Sequence, residues 1–221
     1  MSKVLFFKMP SSGHVNPTLG LVDALVKQGE EVIYFCSADY RERIEKSGAI
    51  FKNYDDKSIL LENKHNVSGI VNIDDKLNYI NEGLSSSEEI IQYILNQIKD
   101  IKFDYIIQSS MFPFGNIISQ ILKIPSINSF AIFAPSKDII KDQDQLKNHP
   151  AIDNYKKISN KISRLYNIKM PTNMMDLFFS KGDLNIVYTS KYFISHIENY
   201  DDSFIFIGPS IYDSILFQLN N

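Results

Sequence analysis

The 221-residue sequence has one cysteine, no tryptophan and four histidines, and each scarcity removes a class of function. Cys36 alone forms no intrachain disulfide, so the fold must rest on its own core, and a reducing, cytoplasmic compartment is the expected setting. His14, His65, His149 and His196 are widely separated and the single thiol has no partner at ligand spacing, so no metal site is expected. Long apolar runs are also missing. Stretches such as residues 4–7 and 130–134 fall far below the ~18 residues that a membrane-spanning helix needs. The start, Met1-Ser2-Lys3 and a short apolar run followed by Lys8 and Pro10, leaves no length for a signal peptide's core. An excess of positive charge is absent as well: 23 Lys and Arg against 26 Asp and Glu give a net charge of −3. No basic stretch is interleaved with aromatics, and nucleic acid is not an expected partner. What is present, 44% hydrophobic and 22% charged residues, is an ordinary globular composition with enough apolar mass for one ample domain.

The chain alternates strand and helix signals. Val4-Leu5-Phe6-Phe7 is a buried-strand run broken by Met9-Pro10-Ser11-Ser12-Gly13. A helix is predicted next, with Asn16 as N-cap, Pro17 in the first helical position, Leu19, Val22, Leu25 and Val26 on one face, and Gly29 at C′. A second strand at 32–36, a short helix at 40–46 and a third strand at 49–51 complete a pattern that implies parallel pairing with right-handed crossovers. Residues 55–75 read as a long polar loop. Ser85 and Ser86, each with a Glu three residues on, offer capping boxes for a helix carrying Ile91, Ile94, Leu95 and Ile98. Strand four centres on 105–107, a helix covers 113–122, and strand five covers 125–130. One amphipathic helix holds Tyr155, Ile158, Ile162 and Leu165, and strands six and seven lie at 184–188 and 204–207. The expected fold class is α/β: a Rossmann-like parallel sheet of about seven strands flanked by helices.

Ligands of such sheets bind beyond the carboxyl ends of the strands, where the strand order reverses. Ser11-Ser12-Gly13-His14 falls at that edge, ahead of a helix whose free N–H groups favour negative charge. A neutral imidazole there can take up a proton near neutral pH, and from spacing alone this role for His14 and a plain hydrogen bond to a neighbouring loop are equally good readings. Gly13 is the loop's only glycine, so the dinucleotide fingerprint G-x-G-x-x-G is absent, as are a Walker A motif and a G-x-S-x-G elbow.

The run Gly13-His14-Val15-Asn16-Pro17-Thr18-Leu19-Gly20-Leu21-Val22, with Leu25, Gly29 and Glu31-Val32-Ile33-Tyr34-Phe35, resembles the N-terminal signature of bacterial macrolide-type UDP-glycosyltransferases. Asp104-Tyr105-Ile106-Ile107 with Ser110-Met111-Phe112-Pro113-Phe114-Gly115 resembles that family's fourth strand and following turn. Phe206-Ile207-Gly208-Pro209-Ser210 resembles the end of its N-terminal domain. The resemblance spans nearly the whole chain and only the first half of the family's two-domain GT-B architecture. It implies an acceptor-binding domain over residues 1–209 and the start of a linker or tail at 210–221.

The resemblance further implies that His14 is the base of an inverting, metal-free transfer of a hexosyl group from a UDP-sugar, a co-substrate rather than a cofactor, to a hydroxyl of a lipophilic acceptor. Ser11, Ser12, Gly13 and Asn16 would then form the donor-facing edge. Asn66, Ser110, Met111, Phe112, Phe114, Phe130, Ile132 and Phe133 would border the acceptor, in keeping with the apolar lining of such pockets. The family's histidine is oriented by an aspartate at the end of strand four. Here Ser109 stands at that position and supplies no negative charge. Asp104 is no substitute, because five residues of strand, about 16 Å, put it at the opposite edge of the sheet. The expected partners are the acceptor and, through a donor-binding domain absent from this chain, a UDP-sugar; that domain is expected on a separate chain, or the apolar face it would cover leads to self-association, and without it the chain is expected to be inactive. The alternative is a non-catalytic module that binds a small molecule or a partner protein.

Overall fold

The computed structural model describes residues 1–54, 81, 84–131, 149–177, 180–194 and 196–208. The polar loop expected at 55–75, the proposed acceptor residues Asn66, Ile132 and Phe133, and the boundary after Pro209 lie outside them.

Val4, Leu5, Phe6 and Phe7 are all buried, so β1 (Lys3–Phe7) is covered on both faces, as an unbroken apolar run demands. It pairs in parallel with β2 (Glu31–Cys36) on one side and β4 (Tyr105–Ser109) on the other. With β3 (Ile50–Asn53), β5 (Ser126–Phe130), β6 (Leu184–Val187) and β7 (Phe204–Phe206) the sheet runs β3-β2-β1-β4-β5-β6-β7, every pair parallel. The strand order reverses between β1 and β4, which fixes the crevice at their carboxyl ends.

The helix after β1 begins earlier than its sequence suggests. α1 covers Ser12–Lys27 with Ser11 as N-cap, so Asn16 and Pro17 lie inside it rather than at its start. The Ser11 carbonyl accepts from the N–H groups of both His14 (3.0 Å) and Val15 (2.9 Å), closing the first turn before the proline is reached. Pro17 then leaves only the Gly13 carbonyl without its helical donor. Gly29 ends the helix as expected, at φ 89°, where its N–H donates to Val26.

α2 (Arg41–Lys46) follows a 3₁₀ turn at Ala38–Tyr40, and α3 covers Ser87–Ile98. Neither expected capping box forms at α3. Ser86 is the N-cap without a side-chain cap bond, while the Ser85 and Ser87 hydroxyls donate backward to the carbonyls of Asn81 and Leu84. Residues 84–85 are already helical, which makes those carbonyls the nearest acceptors. α4 spans Gly115–Leu122. α5 spans Pro150–Tyr166, with Pro150 in the first turn and His149 Nδ1 accepting from the Ala151 N–H at 3.1 Å. Tyr155 and Ile162 of α5 are buried, whereas Leu165 is half exposed.

The two faces of the sheet differ in chemistry near the crevice. Phe6 stacks on Tyr34 at 4.6 Å on the face covered by α1, whose Thr18 hydroxyl meets the Tyr34 hydroxyl at 2.9 Å. The opposite face carries an aromatic stack in which the Phe7 ring lies 5.1 Å from Phe35 and 5.0 Å from Phe112, and Tyr54 lies 5.4 Å from Phe112. Beyond that stack a polar seam crosses β4 and β5, where the buried Gln108 amide donates to Asn116 and, at 2.6 Å, to Asn128. Gly115 makes this seam possible, since a Cβ there would lie 1.2 Å from Gln108 Oε1 and 2.9 Å from its Cβ. Gly115→Ala should therefore destabilise the fold by on the order of 2–3 kcal/mol in urea unfolding, because Gln108 must abandon its partners. Gly13→Ala, whose new methyl meets nothing within 4 Å, should change stability by less than about 0.5 kcal/mol.

Candidate functional site at the carboxyl edge of β1 and β4

Parallel register lines up one row of side chains on the α1 face. Phe6 pairs with both Tyr34 and Ile107, and Phe7 with Gln108, so one residue further on Lys8 stands beside Ser109, which itself pairs with Ser129. Cys36, two residues after Tyr34, extends the row on the β2 side. Since neighbouring strands are about 4.8 Å apart, Lys8, Ser109 and Ser129 form a compact polar step across β1, β4 and β5.

His14 enters this step from above. It lies in the first turn of α1, half-buried, with Nδ1 3.2 Å from Ser109 Oγ. The same hydroxyl stands 3.4 Å from the Met111 N–H, which donates to it. A hydroxyl serves either imidazole tautomer as donor or acceptor, whereas a carboxylate only accepts and would pin the proton on Nδ1, leaving Nε2 free as a base. Ser109 thus touches His14 without fixing its tautomer. Asp104 is where strand length puts it, at the far edge, with its carboxylate accepting from the Lys3 N–H at 2.7 Å.

Lys8 is the residue that sequence reasoning passed over. It is fully buried, its Nζ donates to Ser129 Oγ, and it lies 5.9 Å from the Tyr188 ring centre. Its backbone is clamped by Tyr54, whose hydroxyl accepts from the Lys8 N–H at 3.1 Å and donates to the Lys8 carbonyl at 2.5 Å. None of the ion pairs among the described residues includes it. Burial, opposed to a smaller extent by Cys36, brings its pKa down from 10.5 to about 7. Burial, and then the charge of Lys8, lower His14 from 6.5 to about 4. Burial pushes the Cys36 thiol up to about 12 and raises the phenols of Tyr34, Tyr54 and Tyr188, so these groups are neutral at physiological pH. The signal available in the sequence was alternation: Val4, Phe6 and Lys8 share one face of a strand with no exposed side.

The remaining expected site residues are divided. Ser11, Ser12 and Gly13 open α1 at the crevice, the latter two exposed. Asn16 lies a turn further in and accepts from Arg43 of α2 at 3.3 Å. Ser110 is buried, with no partner for its hydroxyl among the described residues, and Met111 is half-buried. Phe112 and Phe114 are buried in the aromatic stack of the opposite face, 5.4 Å from each other. Phe130 is buried on that same face against Phe204, at 5.9 Å.

No protein-family model matches the chain. It is 30% identical over 217 residues to the uncharacterized UDP-glucosyltransferase YdhE of Bacillus subtilis, covering 95% of this chain and 52% of the relative. It is 27% identical over 222 residues to the uncharacterized UDP-glucosyltransferase YojK of the same organism, covering 96% and 53%. Among solved structures it superposes on the calicheamicin glycosyltransferase CalG4 with a TM-score of 0.72 at 20% identity, over 95% of this chain and 53% of that one. The chain spans about half the length of the curated relatives it matches. Among the described residues no helix is long and apolar enough to cross a membrane.

The two shifted bases make stability depend on pH in two windows. Between about 4 and 6.5 the unfolded imidazole of His14 holds a proton that the folded one has released, and from about 7 to 10.5 the same holds for Lys8. The unfolded state binds more protons in both windows, so stability should rise with pH through each, by on the order of a few kcal/mol at most. Urea unfolding between pH 4 and 10 should show both rises, and Lys8→Met should abolish the upper one and reduce, without removing, the lower.

Proposed function

The chain has the sequence and fold of the N-terminal, Rossmann-like half of a bacterial GT-B UDP-glycosyltransferase, and on that premise we propose that it supplies the acceptor site and the base for transfer of a hexosyl group from a UDP-sugar. The observation that carries this reading is the position of His14, on the first turn of α1 at the strand-order reversal, hydrogen-bonded to the end of β4. In the proposed step the imidazole accepts the proton of an acceptor hydroxyl. The oxygen forms a bond to the anomeric carbon with inversion, and the bond from that carbon to the UDP oxygen breaks, its electron pair leaving with UDP. No metal ion takes part. Ser11, Ser12, Gly13 and Asn16 border the donor, and Ser110 and Met111 border a lipophilic acceptor.

The donor is held by a second domain of the GT-B architecture, supplied in cis or by another chain, and this chain alone does not turn over. A second reading, a non-catalytic binding module, draws support from Ser109 in place of an acid and from a buried Lys8 that has no ion pair among the described residues. One assay separates the two. UDP-glucose and a phenolic acceptor are incubated with the chain alone, with the C-terminal half of YdhE added, and with that half plus His14→Ala. Transfer is expected only in the second mixture, with His14→Ala lowering it at least about 100-fold. Transfer indifferent to His14→Ala would overturn the base assignment, and no transfer in any mixture would favour the binding module.

A further inference from the structure

Two polar side chains lie side by side at the crevice: a buried lysine at position 8 and, where the resemblance leads one to expect an acid, a serine at position 109. The register makes them neighbours on one face of adjacent strands, with His14 Nδ1 above Ser109 and Ser129 beyond it. Among the described residues no carboxylate reaches either one, and every other titratable group facing Lys8, namely Cys36 on β2, Tyr54 after β3 and Tyr188 after β6, is neutral at physiological pH. An ammonium in this position has a direct electrostatic hold on the imidazole, since low-dielectric surroundings lengthen the reach of a charge.

We propose that Lys8 is a positioning residue that sets the protonation of His14, and that positions 8 and 109 work as a pair in which a carboxylate at 109 is claimed by the Lys8 ammonium in preference to the imidazole. The inference rests on the assignment of His14 as the base only for its catalytic meaning; the coupling itself is between Lys8, Ser109 and His14 as the fold places them. The Ser109 hydroxyl leaves the tautomer of His14 open, and the ammonium opposes a second positive charge beside it. A carboxylate introduced by Ser109→Asp would find Nζ of Lys8 on one side and Nδ1 of His14 on the other. The new carboxylate favours the charged form of Lys8, and bonding to an ammonium is preferred over bonding to a ring that is neutral in this setting. Restoring the acid alone therefore does not restore a histidine–acid pair. The lysine must be removed with it.

The test is the titration of His14 in the full chain by its Cε1–H resonance and ring nitrogen shifts, with no donor or acceptor present, so its outcome is independent of whether the chain transfers sugar. Lys8→Met should raise the His14 midpoint by about half a pH unit or more. Lys8→Gln, which keeps a donor for Ser129 without the charge, should raise it equally. Ser109→Asp should shift the midpoint upward more in the Lys8→Met background than in the wild type, and only the double variant should show a proton fixed on Nδ1. All variants are compared by thermal midpoint and amide spectra to establish folding, and Lys8→Gln carries the test if Lys8→Met does not fold. An unmoved His14 midpoint in both Lys8 variants would overturn the electrostatic role, and a wild-type titration in Lys8→Gln alone would reduce Lys8 to a hydrogen-bonding strut. Equal effects of Ser109→Asp in the two backgrounds would overturn the pairing.

Discussion

A strand that is paired on both sides and covered on both faces has no solvent-facing side chain until it ends, and β1 meets that description from Val4 to Phe7. Whatever follows Phe7 emerges at the strand-order reversal with its direction already set by the pleat. Lys8 inherits the face of Phe6, and with it a place in the row that Ser109 and Ser129 complete. The turn through Pro10 and Ser11 then has few residues in which to start α1, so His14 is delivered back over the same row. The geometry of the crevice is thus largely a consequence of where one apolar run stops.

Among the described residues, no acid at this edge offsets the charge of Lys8. A buried ammonium without a carboxylate is costly, and the folded chain relieves the cost by letting Lys8 release its proton near neutral pH and by keeping the surrounding thiol and phenols neutral. The Tyr188 ring and the Ser129 hydroxyl give the ammonium a polar and polarisable wall, while Tyr54 fixes the backbone on which it hangs. His14 shares the same poorly solvated step, so its basicity cannot be read apart from the charge on Lys8.

The sheet was legible in the sequence because its strands are short apolar runs with turn residues between them, and all seven lie within a residue or two of where periodicity placed them. Helix starts were less so. Asn16-Pro17 looks like a helix opening, but Ser11 supplies an earlier one, and a proline six residues in forfeits a single bond. Ser85 and Ser86 look like capping boxes until the preceding residues are found already coiled. Within the site, His14 and Ser109 were found by their spacing from the strand ends. Lys8 was not, since a lysine after an apolar run reads as the return to solvent, and only the two-sided pairing of β1 shows that there is no solvent there.

The two faces of β4 explain why the aromatic residues that follow it divide as they do. Ser109 faces His14, while Gln108 faces away, held by Asn116 and Asn128 against the backbone of Gly115. Phe112 closes over Phe7 and Tyr54 on that second face, and Phe114 meets Phe112 edge-on, so both rings are committed to the core before a ligand arrives. Their burial anchors the turn that carries Ser110 and Met111 beside the polar row. Apolar packing on one face of the sheet therefore holds the polar chemistry of the other in register, and the crevice inherits its rigidity from side chains that do not line it.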